Sequence, residues 1–201
     1  MDVGCEVDVR SIVLRRPAID GLDGYTDALT LGWSPDNIRG KATADEHLAR
    51  IRHDAVTFLD LLEDPEARGP TITLPDGSTA VRVPSLVRWI WDGEFAGSIA
   101  LRWQPGTTSL PAHVLGHVGY AIVPWKRGRG YATEALRLLL PEAWRLGLPH
   151  IELVTDPDNI ASQKVIRTNG GELIERFREP QAYGGNEALR WRIVGPTARR
   201  T

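Results

Sequence analysis

Two glycines interleaved with two arginines stand where an apolar run gives way to a helical one. The apolar run is 118–123, the interleaved residues are 127–130, and helical spacing begins at Tyr131 and continues to near Leu146. Glycines let the backbone turn sharply and let a ligand lie against its amides. The free N–H groups and the positive dipole end of the following helix attract anions. The segment therefore predicts a phosphate-binding turn, with an ordinary tight turn carrying solvated arginines as the alternative.

Two common phosphate-binding motifs do not match this segment. No Gly-Lys-Ser/Thr follows, as a Walker-A loop requires, and Thr133 occupies the third glycine position of a dinucleotide fingerprint. The segment instead contains Arg-x-x-Gly-x-Ala, formed by Arg127, Gly130 and Ala132. This pattern resembles the acyl-CoA pyrophosphate loop of the GNAT acetyltransferase superfamily.

A second block downstream extends the resemblance, which covers roughly residues 81–194. The family pattern is an Asn, a small residue three positions on, an apolar pair and a Gly-containing turn. The matching residues are Asn159, Ser162, Val165 with Ile166, and Gly170 with Gly171. Together, the two blocks are closest in pattern to the ribosomal-protein Nα-acetyltransferase-like subgroup of the superfamily. Val83-Pro84-Ser85 followed by Trp89 is similar to an uncharacterised branch of predicted acetyltransferases.

The resemblance implies acetyl-CoA as the acyl donor. In the family, the pantetheine arm inserts between two splayed parallel strands and pairs with their main chain, as in β-augmentation. Main-chain groups of Ile122 and Val123 are expected to face the pantetheine and thioester. Asn159 is expected to hydrogen-bond to the pantetheine arm, or else to be only a helix N-cap. Lys164 and Arg167 are expected near the 3′-phosphate, or else to be solvated. The pyrophosphate would be held by amides of Arg127, Gly128, Arg129, Gly130, Tyr131, Ala132 and Thr133.

The chemistry implied is acyl transfer from a thioester to an amine. It requires neutralisation of the amine, stabilisation of the oxyanion and protonation of the leaving thiolate. A strand amide near Val123 is expected to stabilise the oxyanion. Many family members protonate the thiolate with a Tyr at the position of Ile166, so the usual acid is missing. The similar subgroup uses a Ser near the sulfur, which implies Ser162 in this role. A small residue selected for helix packing is the alternative.

His117 and Tyr120 lie on the strand before the loop and complete the set of candidate catalytic residues. A neutral imidazole near pH 7 can accept the proton of the amine, although a lone histidine in a strand can also be simply hydrogen-bonded. The need for a base depends on the acceptor. Neutralising an α-amine at pH 7 costs about 1–1.5 kcal/mol, whereas a lysine amine costs about 4–5 kcal/mol.

Composition excludes several classes of protein. The 201 residues include 24 basic and 26 acidic ones, and a net charge of −2 gives no electrostatic case for nucleic acid. The single cysteine, Cys5, excludes an internal disulfide and suggests a reducing compartment. With no long apolar run and no signal-peptide pattern, we expect a cytoplasmic protein without membrane contact. His47 and His53 lack the i, i+4 spacing of a helical metal pair, so we expect solvated histidines and no metal.

The periodicities predict an α/β (α+β) fold. We expect a mostly antiparallel central sheet of about six to seven strands, helices on both faces and a splayed parallel strand pair. Thr43 and Glu46 resemble a capping box that begins a helix over 43–62, and Asp92-Gly93 predicts a hairpin. Trp89 would wall an acceptor cleft or belong to the core. The predicted strands are 6–14, 81–91, 95–103, 113–123, 151–155, 172–177 and 188–194; further helices are predicted over 18–31, 131–146 and 159–169.

These features predict a single domain, 1–201, with an N-terminal helical part over 1–80 and a CoA-binding core over 81–194. The resemblance implies that the N-terminal helices shape the acceptor pocket, with plain packing as the alternative for the helix over 43–62. The predicted activity is transfer of an acetyl group from acetyl-CoA to a small-molecule or peptide N-terminal amine, by a monomer or homodimer. An acyl-CoA-binding module or sensor without turnover is the alternative.

Overall fold

The computed structural model describes residues 12–196, which contain ten strands and five α-helices. In chain order the elements are β1 (Val13–Arg15), α1 (Leu22–Thr30), α2 (Lys41–His53), α3 (Ala55–Asp60), β2 (Glu63–Asp64), β3 (Ile72–Thr73), β4 (Thr79–Ala80), β5 (Ser85–Trp91), β6 (Phe95–Arg102), β7 (Val118–Ile122), α4 (Tyr131–Arg145), β8 (His150–Thr155), α5 (Ile160–Thr168), β9 (Glu172–Arg178) and β10 (Glu187–Val194). Cys5 and most of the strand predicted over 6–14 lie outside the described residues.

The strands form two main sheets and one small hairpin. The larger sheet has the order β1-β5-β6-β7, with β2 also paired to β5, and the smaller has the order β8-β10-β9. All pairings within them are antiparallel. The mixed α/β class, the Asp92-Gly93 hairpin and the two strands predicted over 172–177 and 188–194 are confirmed. The central sheet is divided because β7 and β8 form no ladder.

Two clusters of apolar side chains fill the two faces of the larger sheet. Helix α4 packs on one face through Ala135, Leu136 and Leu139, which meet apolar residues of β6, β7 and β8. The N-terminal helices pack on the other face through an aromatic cluster around Tyr25 and Trp89. Because Trp89 is 1% exposed, it belongs to the core and does not wall a cleft.

The predicted helix over 43–62 is wrong in two respects. It is broken at Asp54, whose extended backbone ends α2 and whose carboxylate accepts the N–H groups of Val56 and Thr57, both at 3.1 Å, and so caps α3. The capping box does not form, because α2 begins two residues before Thr43. The Thr43 hydroxyl instead donates to Asp36.

The expectation of two solvated histidines holds for His53 only. His47 is on α2, and its Nδ1 atom lies 2.7 Å from the hydroxyl of Tyr25 on α1. Burial lowers the pKa of His47 to about 4, so the ring is neutral at physiological pH.

Strands β7 and β8 meet at one point only. The N–H of His117 donates to the carbonyl of Glu152 (2.8 Å), and the N–H of Glu152 donates to Nδ1 of the His117 ring (3.0 Å). The carbonyl of His117 accepts the N–H of Arg102 on β6 at 2.7 Å. His117 therefore joins the two sheets. Its side chain takes the place of a main-chain acceptor, and main-chain pairing between the strands stops there. The strand predicted over 113–123 accordingly begins only at Val118.

A glycine on β6 allows that strand to approach β7 closely. Gly97 has φ +147, and a Cβ atom placed on it would lie 2.3 Å from the carbonyl oxygen of Ala121. Both the backbone angle and the contact exclude a side chain. The position of β7, and with it the edge that faces β8, depends on this glycine.

We predict that Gly97→Ala destabilises the protein by about 3 kcal/mol or more, because backbone strain and a main-chain clash add. Gly106→Ala is the matched control, since Gly106 has φ +74 and open space around its Cβ position. Urea denaturation of both variants measures the difference. Equal losses would show that the approach of β6 to β7 imposes no constraint.

The His117 joint makes stability depend on pH. Burial lowers the pKa of His117 to about 4, whereas a free imidazole titrates near 6.5. Between these values the unfolded chain binds more protons than the folded one. The stability that the neutral His117 ring contributes should therefore be fully present above pH 6.5. The free energy of unfolding should decline as the pH falls toward 4, by up to about 1.4 kcal/mol per pH unit for one such site.

Replacing the ring by a non-titrating acceptor should reduce this slope. In His117→Asn the amide oxygen can still accept the N–H of Glu152, and we expect a shallower decline in urea-unfolding free energy between pH 6.5 and 5. Some slope should remain because His47 titrates in the same direction. His53→Asn, at an exposed position, is the control that should match the wild type. A His117→Asn slope equal to the wild-type slope would contradict the prediction.

Candidate functional site

The edge of β7 that faces β8 can be read from its pairing with β6. The bonds from Arg102 N–H to His117 O and from Val123 N–H to Ala96 O show that residues 117 and 123 bond to β6. Because hydrogen-bonded and non-bonded positions alternate in an antiparallel ladder, residues 119 and 121 do the same. The main-chain groups of Val118, Tyr120 and Ile122 therefore point the other way, toward β8.

The same reasoning identifies the groups of β8 that face β7. Gly195 N–H donates to Pro149 O, so the odd-numbered residues 149–155 bond to β10. Glu152 and Val154 face β7. Both main-chain groups of Glu152 are bonded to His117, whereas those of Val154 have no partner within residues 12–196. Beyond His117 the facing edges of β7 and β8, which include Tyr120 and Ile122 on β7 and Val154 on β8, are not paired with each other, and this unpaired stretch is the gap.

Within this gap, the N–H of Ile122 is an unused donor among the described residues. The carbonyl of Ile122 accepts from Arg127 Nε at 3.2 Å. Val123, also expected here, is oriented differently: its N–H donates to Ala96 O (3.1 Å) and its carbonyl accepts from Lys126 N–H (3.0 Å). The expectation that Val123 faces the gap is therefore wrong, because the period of two along the strand turns it toward β6.

The turn after β7 is open and lined by main-chain amides. A short 3₁₀ turn (Pro124–Lys126) leads into four exposed residues, of which Gly128 and Gly130 have φ +76 and +77. The first helical N–H with a carbonyl four residues back is that of Glu134, bonded to Gly130 O at 3.1 Å. Amides 128–133 precede it and have no carbonyl partner among residues 12–196. Nothing lies within 4 Å of a Cβ built on Gly128, so the space beside that glycine is open.

The hairpin turn at Asp92 anchors both ends of this amide turn. One carboxylate oxygen of Asp92 binds Lys126 Nζ (2.7 Å), and the other accepts from the Tyr131 hydroxyl (2.7 Å). Burial raises the pKa of Asp92, but the hydrogen bonds from Lys126 and Tyr131 outweigh this and leave the pKa lowered. Lys126 also binds Glu94 (2.8 Å) and is 4% exposed. Lys126 is therefore an anchor of the turn and not a phosphate ligand.

The cationic side chains near the turn differ in what they contact. Arg127 and Arg129 are exposed, and each spends one donor on a carbonyl, of Ile122 and Trp125 respectively. The remaining N–H groups of Arg127 are available to an anion, whereas the Arg129 guanidinium also interacts with the Tyr131 hydroxyl. On α5, Lys164 is exposed, and the Arg167 guanidinium lies 4.9 Å from the centre of the Trp191 ring.

Tyr120 and Ser162 are brought together across the gap. The Tyr120 hydroxyl lies 3.5 Å from the carbonyl oxygen of Ser162, and both residues are half-buried. Burial raises the pKa of Tyr120, which keeps the phenol protonated at neutral pH. Asn159 is the N-cap of α5, since its Oδ1 accepts the N–H of Ser162 at 3.0 Å. Ile166 is fully buried, so the position of the family's usual tyrosine belongs to the core.

His117 does not fit the role of general base. The ring is 1% exposed and its Nδ1 already accepts a hydrogen bond, so the proton is assigned to Nε2. Nε2 is buried without a hydrogen-bond partner in the described chain. With a pKa lowered to about 4 by burial, the imidazole has no free acceptor nitrogen to offer an amine. Sequence reasoning missed the joint with Glu152 because the two residues are 35 positions apart.

Residues 12–196 lack two further kinds of feature. No group of three or more His, Cys, Asp or Glu side chains is arranged to hold a metal ion. No helix in the same range combines the length and apolarity needed to span a bilayer.

Comparisons with known proteins agree with this geometry. The model of the acetyltransferase (GNAT) domain family matches residues 48–172. No curated protein matches the chain.

Solved structures share the fold over nearly the whole chain. A crystal structure of a probable acetyltransferase is 17% identical, with a TM-score of 0.60 over 96% of this chain and 97% of that one. RimL, a ribosomal L7/L12 alpha-N-protein acetyltransferase solved with coenzyme A, is 14% identical, with a TM-score of 0.58 over 92% and 94%. RimJ of Mycobacterium smegmatis, solved with a CoA-disulfide, is 17% identical, with a TM-score of 0.56 over 94% and 85%.

At these identities the structural likeness establishes the fold, whereas the family match covers more than half of the sequence. The chain therefore belongs to the acetyltransferase (GNAT) domain family and is an acetyl-CoA-dependent N-acetyltransferase.

Proposed function

We propose that the protein transfers the acetyl group of acetyl-CoA directly to an amine that reaches the gap from the side of α1 and α2. The observation that supports this most is the unpaired stretch between β7 and β8, which carries unused main-chain groups on both edges. It lies next to the open turn of amides that precedes α4. One ligand with an anionic head and an amide-bearing arm matches both features.

The acyl donor binds with its pyrophosphate on the amides of residues 128–133, where main-chain donors and the helix dipole attract an anion. Arg127 and Arg129 add charge from the exposed side. The pantetheine arm lies in the gap as an added strand, pairing with Ile122 and Val154. Asn159 keeps its amide nitrogen for this arm while its oxygen caps α5. Lys164 and Arg167 lie on α5, where a 3′-phosphate would be accessible to them.

Ile122 N–H stabilises the oxyanion that forms when the amine attacks the thioester carbon. The new C–N bond forms and the C–S bond breaks; the leaving thiolate takes one proton, and the nitrogen releases one proton to water, which restores the proton of the donor. We assign the proton that the thiolate takes to the Tyr120 hydroxyl, with the Ser162 hydroxyl beside the sulfur. Tyr120 thus replaces the acid that Ile166 does not provide.

The acceptor is an amine that is weakly basic, such as a peptide N-terminus or a small-molecule α-amine. No base is assigned, and the cost of neutralising such an amine at pH 7 is only about 1–1.5 kcal/mol. The name of RimL describes acetylation of an α-amine on a ribosomal protein, which is an acceptor of this class.

An acyl-CoA-binding module without turnover is the second candidate, and the apolar Ile166 favours it. Thiol release from acetyl-CoA with a panel of amines separates the two. Turnover that depends on the amine supports the transferase. Slow release at one rate with every amine supports the binding module.

The turn of amides can be tested by a pair of variants of equal shape. Gly130 has φ +77, a conformation that Asn and Asp tolerate better than other side chains. A carboxylate about 4 Å from a diphosphate charge costs about 4 kcal/mol at an effective dielectric constant of 20. We therefore expect Gly130→Asp to bind CoA at least tenfold more weakly than Gly130→Asn in calorimetry. Equal affinities of the two variants would contradict a pyrophosphate at this corner.

The proton donor can be tested by removing single hydroxyl groups. We expect Tyr120→Phe to lower kcat tenfold or more, since general acids contribute about 10²–10⁴-fold, with less than a threefold change in acetyl-CoA affinity. Ser162→Ala should lower kcat less, but still more than it lowers affinity. Thr168→Ala, at the exposed end of the same helix, is the control. Unchanged kcat in Tyr120→Phe would exclude Tyr120 as the acid.

A further inference from the structure

Arg102, the last residue of β6, has a guanidinium group that finds few hydrogen-bond acceptors among the described residues. Its Nη1 donates to the carbonyl of Gly116 at 3.2 Å, and its other nitrogens have no hydrogen-bond partner among residues 12–196. The side chain is half-buried, and burial lowers its pKa. A charge withdrawn from water is costly unless it is paired.

Arg102 differs in this respect from comparable arginines in the described chain. Every other arginine that is buried or half-buried has a carboxylate oxygen within 4.0 Å of a side-chain nitrogen, and Arg102 has none. These paired residues are Arg15, Arg39, Arg82, Arg88, Arg190 and Arg192.

The carboxylate whose charge acts on Arg102 is already used by other donors. The charge of Asp36, in the α1–α2 connection, acts on the pKa of Arg102 but does not form an ion pair with it. One oxygen of Asp36 accepts the N–H groups of Ile38 (2.8 Å) and Arg39 (3.0 Å), and the other accepts the Thr43 hydroxyl (3.3 Å). The carboxylate is thus held by its own loop.

The guanidinium lies beside the strand that borders the gap. A Cβ on Gly119 of β7 would lie 3.2 Å from Arg102 Nη2, so the absence of a side chain there makes room for the group. The side chain of Tyr183, from the β9–β10 connection, is also close enough to Arg102 for the two groups to interact electrostatically. The α1–α2 connection reaches the same place, where Asn37 Nδ2 donates to Tyr120 O at 3.3 Å.

We propose that Arg102 binds a carboxylate on the acceptor, so that the substrate carries an amine and a carboxylate a few bonds apart. This inference rests on the proposed function, because it places the acceptor next to the gap. A guanidinium presents paired N–H groups that match the two oxygens of a carboxylate. Gly119 and Ile122 are three residues apart on β7, or about 10 Å. A hydrogen bond at each end shortens the distance that the substrate must span.

The pyrophosphate of CoA is not the anion for Arg102. The amide turn follows the end of β7 at Ile122, whereas Arg102 lies opposite His117, before the start of that strand. The two anion-binding positions are at opposite ends of β7. A free amino acid and a peptide with an acidic N-terminal residue both provide the required pair of groups.

The experiment compares each carboxylate-bearing amine with its neutral amide. One pair is free glutamate and glutamine α-amide, and the other is a tripeptide with N-terminal Glu and the same peptide with N-terminal Gln. We expect the wild type to show at least a tenfold higher kcat/KM for the carboxylate member of one pair, and the pair identifies the source. Arg102→Gln should remove that preference and leave the affinity for acetyl-CoA unchanged. Arg52→Gln is the control, at an exposed position that the structure shows without an ion pair.

Thermal unfolding of Arg102→Gln tests whether the variant is folded. If it is not, Arg102→Lys keeps the charge without the paired donors and should reduce the preference by threefold or more. Acetylation of both members of each pair at equal rates would overturn this inference and leave the proposed function standing. A preference that survives these substitutions would do the same. Failure to bind acetyl-CoA, or thiol release independent of any amine, would instead overturn the proposed function.

Discussion

The interruption of main-chain pairing at His117 is the constraint on which the rest of the site depends. A continuous ladder between β7 and β8 would use the N–H and carbonyl groups of Ile122 and Val154 within the protein. Instead the Glu152 N–H donates to an imidazole nitrogen at 3.0 Å, and the strands separate beyond that bond. A buried neutral ring suits this position because it supplies one acceptor and ends the ladder. The unused groups that result are those that an extended ligand can pair with.

The far end of the gap is held by a different kind of interaction. Asp92 lies in the β5–β6 hairpin and binds Lys126 and Tyr131, which flank the exposed turn. The turn can therefore leave its amides open without being loose, since side chains on either side of it are anchored in the core. The hairpin that positions β6 against β7 through Gly97 also fixes the anion-binding turn. One short connection thus fixes the place of the charged end of the gap.

Charge is distributed unevenly along β7. Amides and exposed arginines attract anions after its last residue, Arg102 offers a cation before its first, and the strand between them is apolar or neutral. A donor and an acceptor that each carry negative charge would bind at opposite ends and meet near Tyr120. The two ends of one strand would thus bind the negative groups of the acyl donor and of the acceptor, and the reaction would take place beside the uncharged middle of that strand.

Features determined by neighbouring residues were accessible from the sequence alone. The Gly-rich turn before α4, the Asp92-Gly93 hairpin and the Asn159 cap depend on backbone preferences over a few residues, and the two family blocks gave the fold. The burial of Lys126 and the orientation of Val123 depended on partners far along the chain, whereas the break at Asp54 is a local cap that the helical spacing of 43–62 concealed. The sequence places Ile122 and Val123 side by side, but only pairing with β6 decides which of them faces the gap. His117 and Arg102 acquire their roles from what surrounds them in space, the first joining two sheets through three hydrogen bonds and the second left with unused donors, because hydrogen bonds and burial are properties of the assembled sheets.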